Sequence, residues 1–240
     1  MRWSKAVIFA HAGAAKLRLR AREFRHARHA VAAVEFALVL PLLVTLMLGT
    51  VEAARLIIFA RNVTQVATTA VEMLSQSGTG TVDYVDLDFA VQSTMVIFPQ
   101  ILQDAAQKGI SWNNDISISM ASVCFSASPS NCTSSCTSNC IANVVWNSGP
   151  SNNKRTCGVA LTGVPDTSVP SKTTLPADVF GPGSIIVVDV VFDYTPIFGL
   201  SLFGTIPIAR SAYLAPRYVP LIKYEVVSGD DGIGAECNGF

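Results

Sequence analysis

Two groups of residues in this 240-residue chain have the types and spacing to do chemistry. One is a set of six cysteines, Cys124, Cys132, Cys136, Cys140, Cys157 and Cys237, three of them at Cys-x3-Cys-x3-Cys spacing. Zinc sites usually join a C-x2-4-C pair to a second pair or to histidines, and no histidine lies beyond His29. Iron–sulfur spacings differ again. The surrounding "SASPSNCTSSCTSNC" is a polar loop, so an even number of cysteines reads as disulfides formed in an oxidising compartment. Six cysteines allow 15 connectivities. No metal and no cofactor is expected. The other is a single carboxylate, Glu35, inside the apolar stretch "HAVAAVEFALVLPLLVTLMLG". A carboxylate in lipid is costly unless it is neutralised or paired, and it marks a functional position by default.

Other acidic residues offer less. Asp83, Asp86 and Asp88 cluster where a helix would begin, and acidic groups suit a helix N-terminus. Asp189 and Asp193 alternate along a strand with Val191 between them, which reads as a solvated face. The chain has no G-x-S-x-G, no phosphate-binding P-loop and no H-E-x-x-H. With all three histidines (His11, His26, His29) at the N-terminus, a Ser-His-Asp arrangement further along is excluded. The chain is read as a non-enzyme.

The elements that carry these residues follow from hydropathy and charge. Half of the residues are hydrophobic, and the mean hydropathy of +0.42 is high for a soluble domain. The zero net charge hides a split: residues 1–29 hold eight basic side chains against Glu23 alone. The apolar run that follows, interrupted only by Glu35, is long enough to cross a bilayer as a helix. Basic residues flanking a span stay on the cytoplasmic side. This context favours a membrane topology over nucleic-acid binding, so no nucleic-acid partner is expected. A cleaved signal peptide would have a shorter leader and a small-residue site after the run. Here "VEAARLIIFARNV" follows instead, which favours an uncleaved anchor. Pro41 removes one backbone hydrogen bond inside the span and is expected to kink the helix.

The stretch "AVAAVEFALVLPLL", with its basic leader, Glu-Phe pair and following Pro in that order, resembles the N-terminal signature of the TadE/TadG-like family of Tad (tight adherence, Flp-type) pilus assembly proteins. A weaker echo lies in "IVVDVVFDYTPIFGL" leading into "IPIARSAYLAPRY". The resemblance implies a pseudopilin-like component held in the bacterial inner membrane, with other pilus assembly subunits as partners. In members processed like prepilins, a membrane peptidase cuts four residues before the Glu. Carried over, the cut follows Ala30, Val31 becomes the N-terminus, and Glu35 followed by Phe36 completes the processing motif. Ala30 departs from the usual Gly. In that family setting, the freed amine of Val31 would pair with Glu35 of a neighbour, a strong interaction at low dielectric.

Past the span, polar residues at Glu52, Arg55, Asn62, Gln65, Thr69, Glu72 and Gln76 recur at helical spacing. One helix is expected from about Ala30 to Gln76, ended by "SGTGT". Residues 82–109 read as a second helix or as two divided at Pro99, closing at Lys108-Gly109. Strands are expected at 115–125, 141–147, 184–194 and 206–214. The fold class is therefore α+β: a single transmembrane helix extends into an amphipathic stem packed on a small antiparallel sheet. The domains expected are a basic cytoplasmic leader at 1–29, a transmembrane helix at 30–58 and an extracytoplasmic, periplasmic head at 59–240. A structural assembly component is the first reading. A periplasmic membrane-anchored enzyme or ligand-binding sensor head is the alternative.

Overall fold

The computed structural model describes residues 28–127, 132, 136, 140–166, 168–169, 171–198 and 204–239. The expected leader lies outside the described residues as far as residue 27. The chain divides into two compact units after Ala53. The α+β class holds, with a long N-terminal helix followed by an antiparallel sheet.

Helix α1 runs from Arg28 to Ser75 and is continuous through Pro41, close to the expected 30–76. In the first unit its side chains are exposed from Val31 to Met47. It is the one helix among the described residues long and apolar enough to cross a membrane. Residues 31–53 of a straight helix extend about 34 Å, enough for a hydrocarbon layer of about 30 Å. Thr45 and Thr50 donate their hydroxyls to the Leu42 and Met47 carbonyls, 2.9 and 2.8 Å away. These two polar side chains therefore need no solvent.

In the second unit the same helix becomes one-sided. Phe59, Val63, Val66, Ala67, Ala70, Val71 and Leu74 are buried, at the three- and four-residue spacing of a core-facing stripe. Beyond the helix come strand β1 (Thr81–Val82) and then helices α2 (Tyr84–Gln92), α3 (Thr94–Ile97), α4 (Gln100–Lys108) and α5 (Trp112–Asp115). The expected break at Pro99 is present, and a further one falls at Ser93. Asp83 caps α2: its Oδ1 accepts from the amides of Val85 and Asp86, and Asp86 returns a bond to the Asp83 amide. This reciprocal box is the helix start that the acidic cluster implies. Gly109 ends α4 in the left-handed conformation at φ 69°, which glycine adopts without steric cost.

Strands β2 (Ile116–Ser126), β3 (Ile141–Ser148), β6 (Gly183–Tyr194) and β7 (Ile206–Leu214) lie within a residue or two of expectation. Short strands β4 (Thr162–Val164), β5 (Thr174–Pro176), β8 (Lys223–Tyr224) and β9 (Gly234–Glu236) had no clear signal, being two or three residues long. The main sheet is antiparallel in the order β7-β6-β2-β3-β9. One face, including Ile118, Met120, Trp146, Val188, Val190 and Phe192, packs on α1 and the helices. The other face, including Ala121, Val123, Phe125, Val144 and Val187, is covered by Leu161, Leu175, Phe180 and the cysteines Cys136, Cys140, Cys157 and Cys237. Gly149 leaves β3 at φ 107°, and a Cβ there would stand 2.4 Å from the Ile118 carbonyl oxygen. Only glycine fits that turn.

All six cysteines are bonded: Cys124–Cys132, Cys136–Cys140 and Cys157–Cys237. The third joins residues 80 apart, tying the segment after β3 to the end of the chain. By loop-closure entropy it contributes about 4 kcal/mol, against about 2 kcal/mol for the four-residue Cys136–Cys140 loop. Replacing Cys157 and Cys237 by Ser should therefore lower the unfolding midpoint well below that of the Cys136→Ser/Cys140→Ser chain. Equal midpoints in urea titrations would refute this ranking.

Candidate functional site

Three places concentrate polar groups where solvent is scarce or lipid is expected. The first lies in the first unit. Glu35 is in the second turn of α1, with the backbone of Ala30 already helical. Val31, Val34, Phe36 and Leu38 around it are all at least half exposed. Glu35 is the only charge between residues 31 and 51. Helical geometry places Val31 one turn before Glu35 on the same face. Pro41 lies further along the same helix.

The second is at the end of α4. The Lys108 ammonium lies 2.6 Å from the Asp104 carboxylate and 2.5 Å from that of Asp115. It also donates to the Asp193 carbonyl at 2.7 Å and rests 5.0 Å from the centre of the Phe192 ring. Two carboxylates thus share one ammonium. Burial, opposed by Lys108 and reinforced by Asp104, pushes the Asp115 carboxyl up to about 6. The Lys108 ammonium is raised as well: burial alone would lower it, and the bonds to both carboxylates outweigh that.

The pH consequence is opposite to the usual one for a carboxylate. A folded-state pKa above the unfolded value means that the folded chain holds the Asp115 proton more tightly. The stability it contributes is complete below about pH 4 and is lost as pH rises through about 6. The melting temperature of the native chain, relative to Asp115→Asn, should accordingly fall by a few degrees between about pH 4 and 7. A difference that stays constant across that range would refute the assignment.

The third place corrects a sequence expectation. Asp189 is not on a solvated face: it is 5% exposed. Ser119, Asp189 and Ser211 stand in register across β2, β6 and β7, a polar row through an apolar sheet. Arg155, 1% exposed, answers it. Its Nε and Nη2 donate to the two Asp189 oxygens at 2.8 and 3.0 Å, and its Nη1 donates to the Thr174 carbonyl at 2.6 Å. Ser211 donates to Asp189 as well. Asn153 donates to the Ser117 hydroxyl, and its carbonyl accepts from Ser119. Asp193, by contrast, is exposed as expected. The sequence carried a signal that Asp189 is buried, though not which cation meets it. "SIIVVDVVF" is a run typical of a strand buried on both faces, and a buried Asp requires a cation.

A cleft of about 570 Å³ also lies between α2, α5 and the sheet, walled by Val91, Met95, Trp112 and Ile118 with Asp88 and Asn113. Asp88 is already engaged by Gln92 at 2.5 Å. Among the described residues that line it there is no histidine, cysteine or lysine. Among the described residues no cluster of three metal-ligating side chains occurs.

Comparison with known proteins bears on the first of these places. No curated protein and no solved structure matches the chain. Residues 30–72, less than a fifth of the chain, match the family described as TadE-like protein. The match begins at Ala30, contains Glu35, Phe36 and Pro41, and runs nearly to the end of α1. Over this segment the chain is similar to the TadE-like family, as the order of those residues implies.

Proposed function

We propose that this chain is a structural component of Tad/Flp pilus assembly, pseudopilin-like, anchored once in the bacterial inner membrane by α1. The TadE-like match and the apolar helix fit a Tad pilus component. The observation that carries the reading is Glu35, a lone charge in a membrane-length helix at the start of the matched segment. A structural protein gains from such a charge because it favours one packing register between helices. The basic leader puts the N-terminus in the cytoplasm. Three disulfides accord with a head in the oxidising periplasm. The partners are other assembly subunits, and the work is done by helix–helix contact rather than catalysis.

Processing by a prepilin-type peptidase would place the cut between Ala30 and Val31. The test is the N-terminal sequence of the chain recovered from native membranes. A start at Val31 makes Glu35 the partner of a subunit's free amine. A retained leader makes the chain a permanent anchor, with Glu35 meeting a partner helix. A start beyond residue 53 would remove the anchor and overturn the proposal.

A further inference from the structure

The cleft of about 570 Å³ lies wholly within the second unit. Val91 and Met95 wall it from α2 and α3, Trp112 from α5, Ile116 and Ile118 from β2, and Ile233 from the turn before β9. These walls are held in place without a ligand. Ile116 and Ile118 are buried and stand opposite Phe192 and Val190 of β6. The Ile116 amide donates to the Trp112 carbonyl, which fixes the end of α5. Trp112 and Met95 are only half-buried, so they line the space rather than fill the core.

The polar groups on these walls are few, and their charge has one sign. Asp88 is the one charged side chain lining the cleft among the described residues, and it is half-buried. Its Oδ2 accepts from Gln92 at 2.5 Å, and its Oδ1 has no partner among the described residues. Ser148 also lines the cleft, and its buried hydroxyl has no partner among the described residues. Buried polar groups are ordinarily paired. A space of this size suits a small organic molecule, whose apolar body fills it while a few polar groups fix the orientation. Charge decides which molecule. A carboxylate on apolar walls gains from a cation, and an indole face attracts one too. An anion would meet Asp88 with no basic side chain lining the cleft to offset it.

We propose that this cleft binds a small organic cation, a primary ammonium on an apolar body, with the ammonium at Asp88 and the body against Trp112, Met95 and Ile118. The inference goes beyond the assembly reading and does not depend on it. The ligand is a free amine rather than a partner's lysine, because a bare four-carbon stem fills only a small part of the space. The head would then recognise a soluble molecule in addition to any contacts made through α1.

The test titrates the full chain, in dodecyl maltoside, with phenethylamine, phenethyl alcohol and hydrocinnamate, which share a body and differ in charge. Trp emission should shift saturably with the amine, and the Trp112→Phe chain should lose that shift. The amine should bind about tenfold more tightly than the alcohol, and hydrocinnamate more weakly than either. In Asp88→Asn the amine should fall to the affinity of the alcohol. Should that chain misfold, Asn113→Lys, which sets a fixed ammonium at an exposed lining position, should lower the amine's affinity in the same way. Uptake by detergent is common to all the chains, so the difference between chains reads the cleft. Equal binding of amine and alcohol, a preference for the amine that survives both substitutions, or the lack of any saturable shift would overturn the inference. Tighter binding by Nα-acetyl-lysine amide than by phenethylamine would overturn the free-amine ligand in favour of a partner's lysine side chain.

Discussion

Arg155→Leu should destabilise the head by about 3–5 kcal/mol, because it leaves Asp189 charged and buried without its partner. The geometry sets the size of this effect. The pair is bidentate and almost wholly enclosed, and a third donor bond from Arg155 reaches the Thr174 carbonyl. An exposed pair would be worth only about 0–1 kcal/mol. Removing both charges is a different matter. Arg155→Met with Asp189→Leu leaves an apolar row in an apolar sheet, and such replacements are often neutral or stabilising. The double variant should thus be markedly more stable than Arg155→Leu alone. Ser211 would lose its acceptor, which limits the recovery. Urea unfolding of the full chain in detergent, followed by the emission of buried Trp146, reads both. A loss below about 1 kcal/mol for Arg155→Leu would show that solvent reaches the pair.

Replacing Glu35 by Ala should abolish pilus assembly while leaving the chain inserted and the head folded. The two halves of this expectation have opposite signs. Insertion scales charge about 2.5–3.5 kcal/mol to an acidic residue at mid-bilayer, so the Ala chain inserts at least as readily as the native one. Under the proposed function, assembly would lose the pairing that the carboxylate is proposed to provide. Even one pair worth 1.4 kcal/mol changes an association constant about tenfold. Piliation should therefore drop by about tenfold or more. Undiminished piliation, with equal amounts of disulfide-bonded chain in the membrane, would sink the assembly role of Glu35.

Much of this protein was legible in its sequence because the features concerned are periodic or local. The apolar run, the basic leader and the order of Glu35, Phe36 and Pro41 are properties of adjacent residues. The α1 stripe from Phe59 to Leu74 repeats with the helix turn, and the main strands alternate or run apolar. Their ends were therefore placed within a residue or two. The Asp83 cap needed only the next three residues.

Pairings across distant segments were decided elsewhere. Which cysteine meets which depends on where β3, the long connection after it and the C-terminus settle. Among 15 connectivities, only the fold distinguishes the link between Cys157 and Cys237. Asp189 shows the same limit at one residue. Alternation along β6 correctly put it on the face opposite Val188 and Val190, and a two-layer protein would have left that face to water. The segment carrying Arg155 folds over it instead. Lys108 likewise signalled a helix end, yet its partner Asp115 and the Asp193 carbonyl arrive from α5 and β6. Sequence by itself determined the elements, because their hydrogen bonds and apolar faces repeat at short range. Tertiary structure decided the charge pairs and disulfides, because each joins groups whose separation along the chain says nothing of their separation in space.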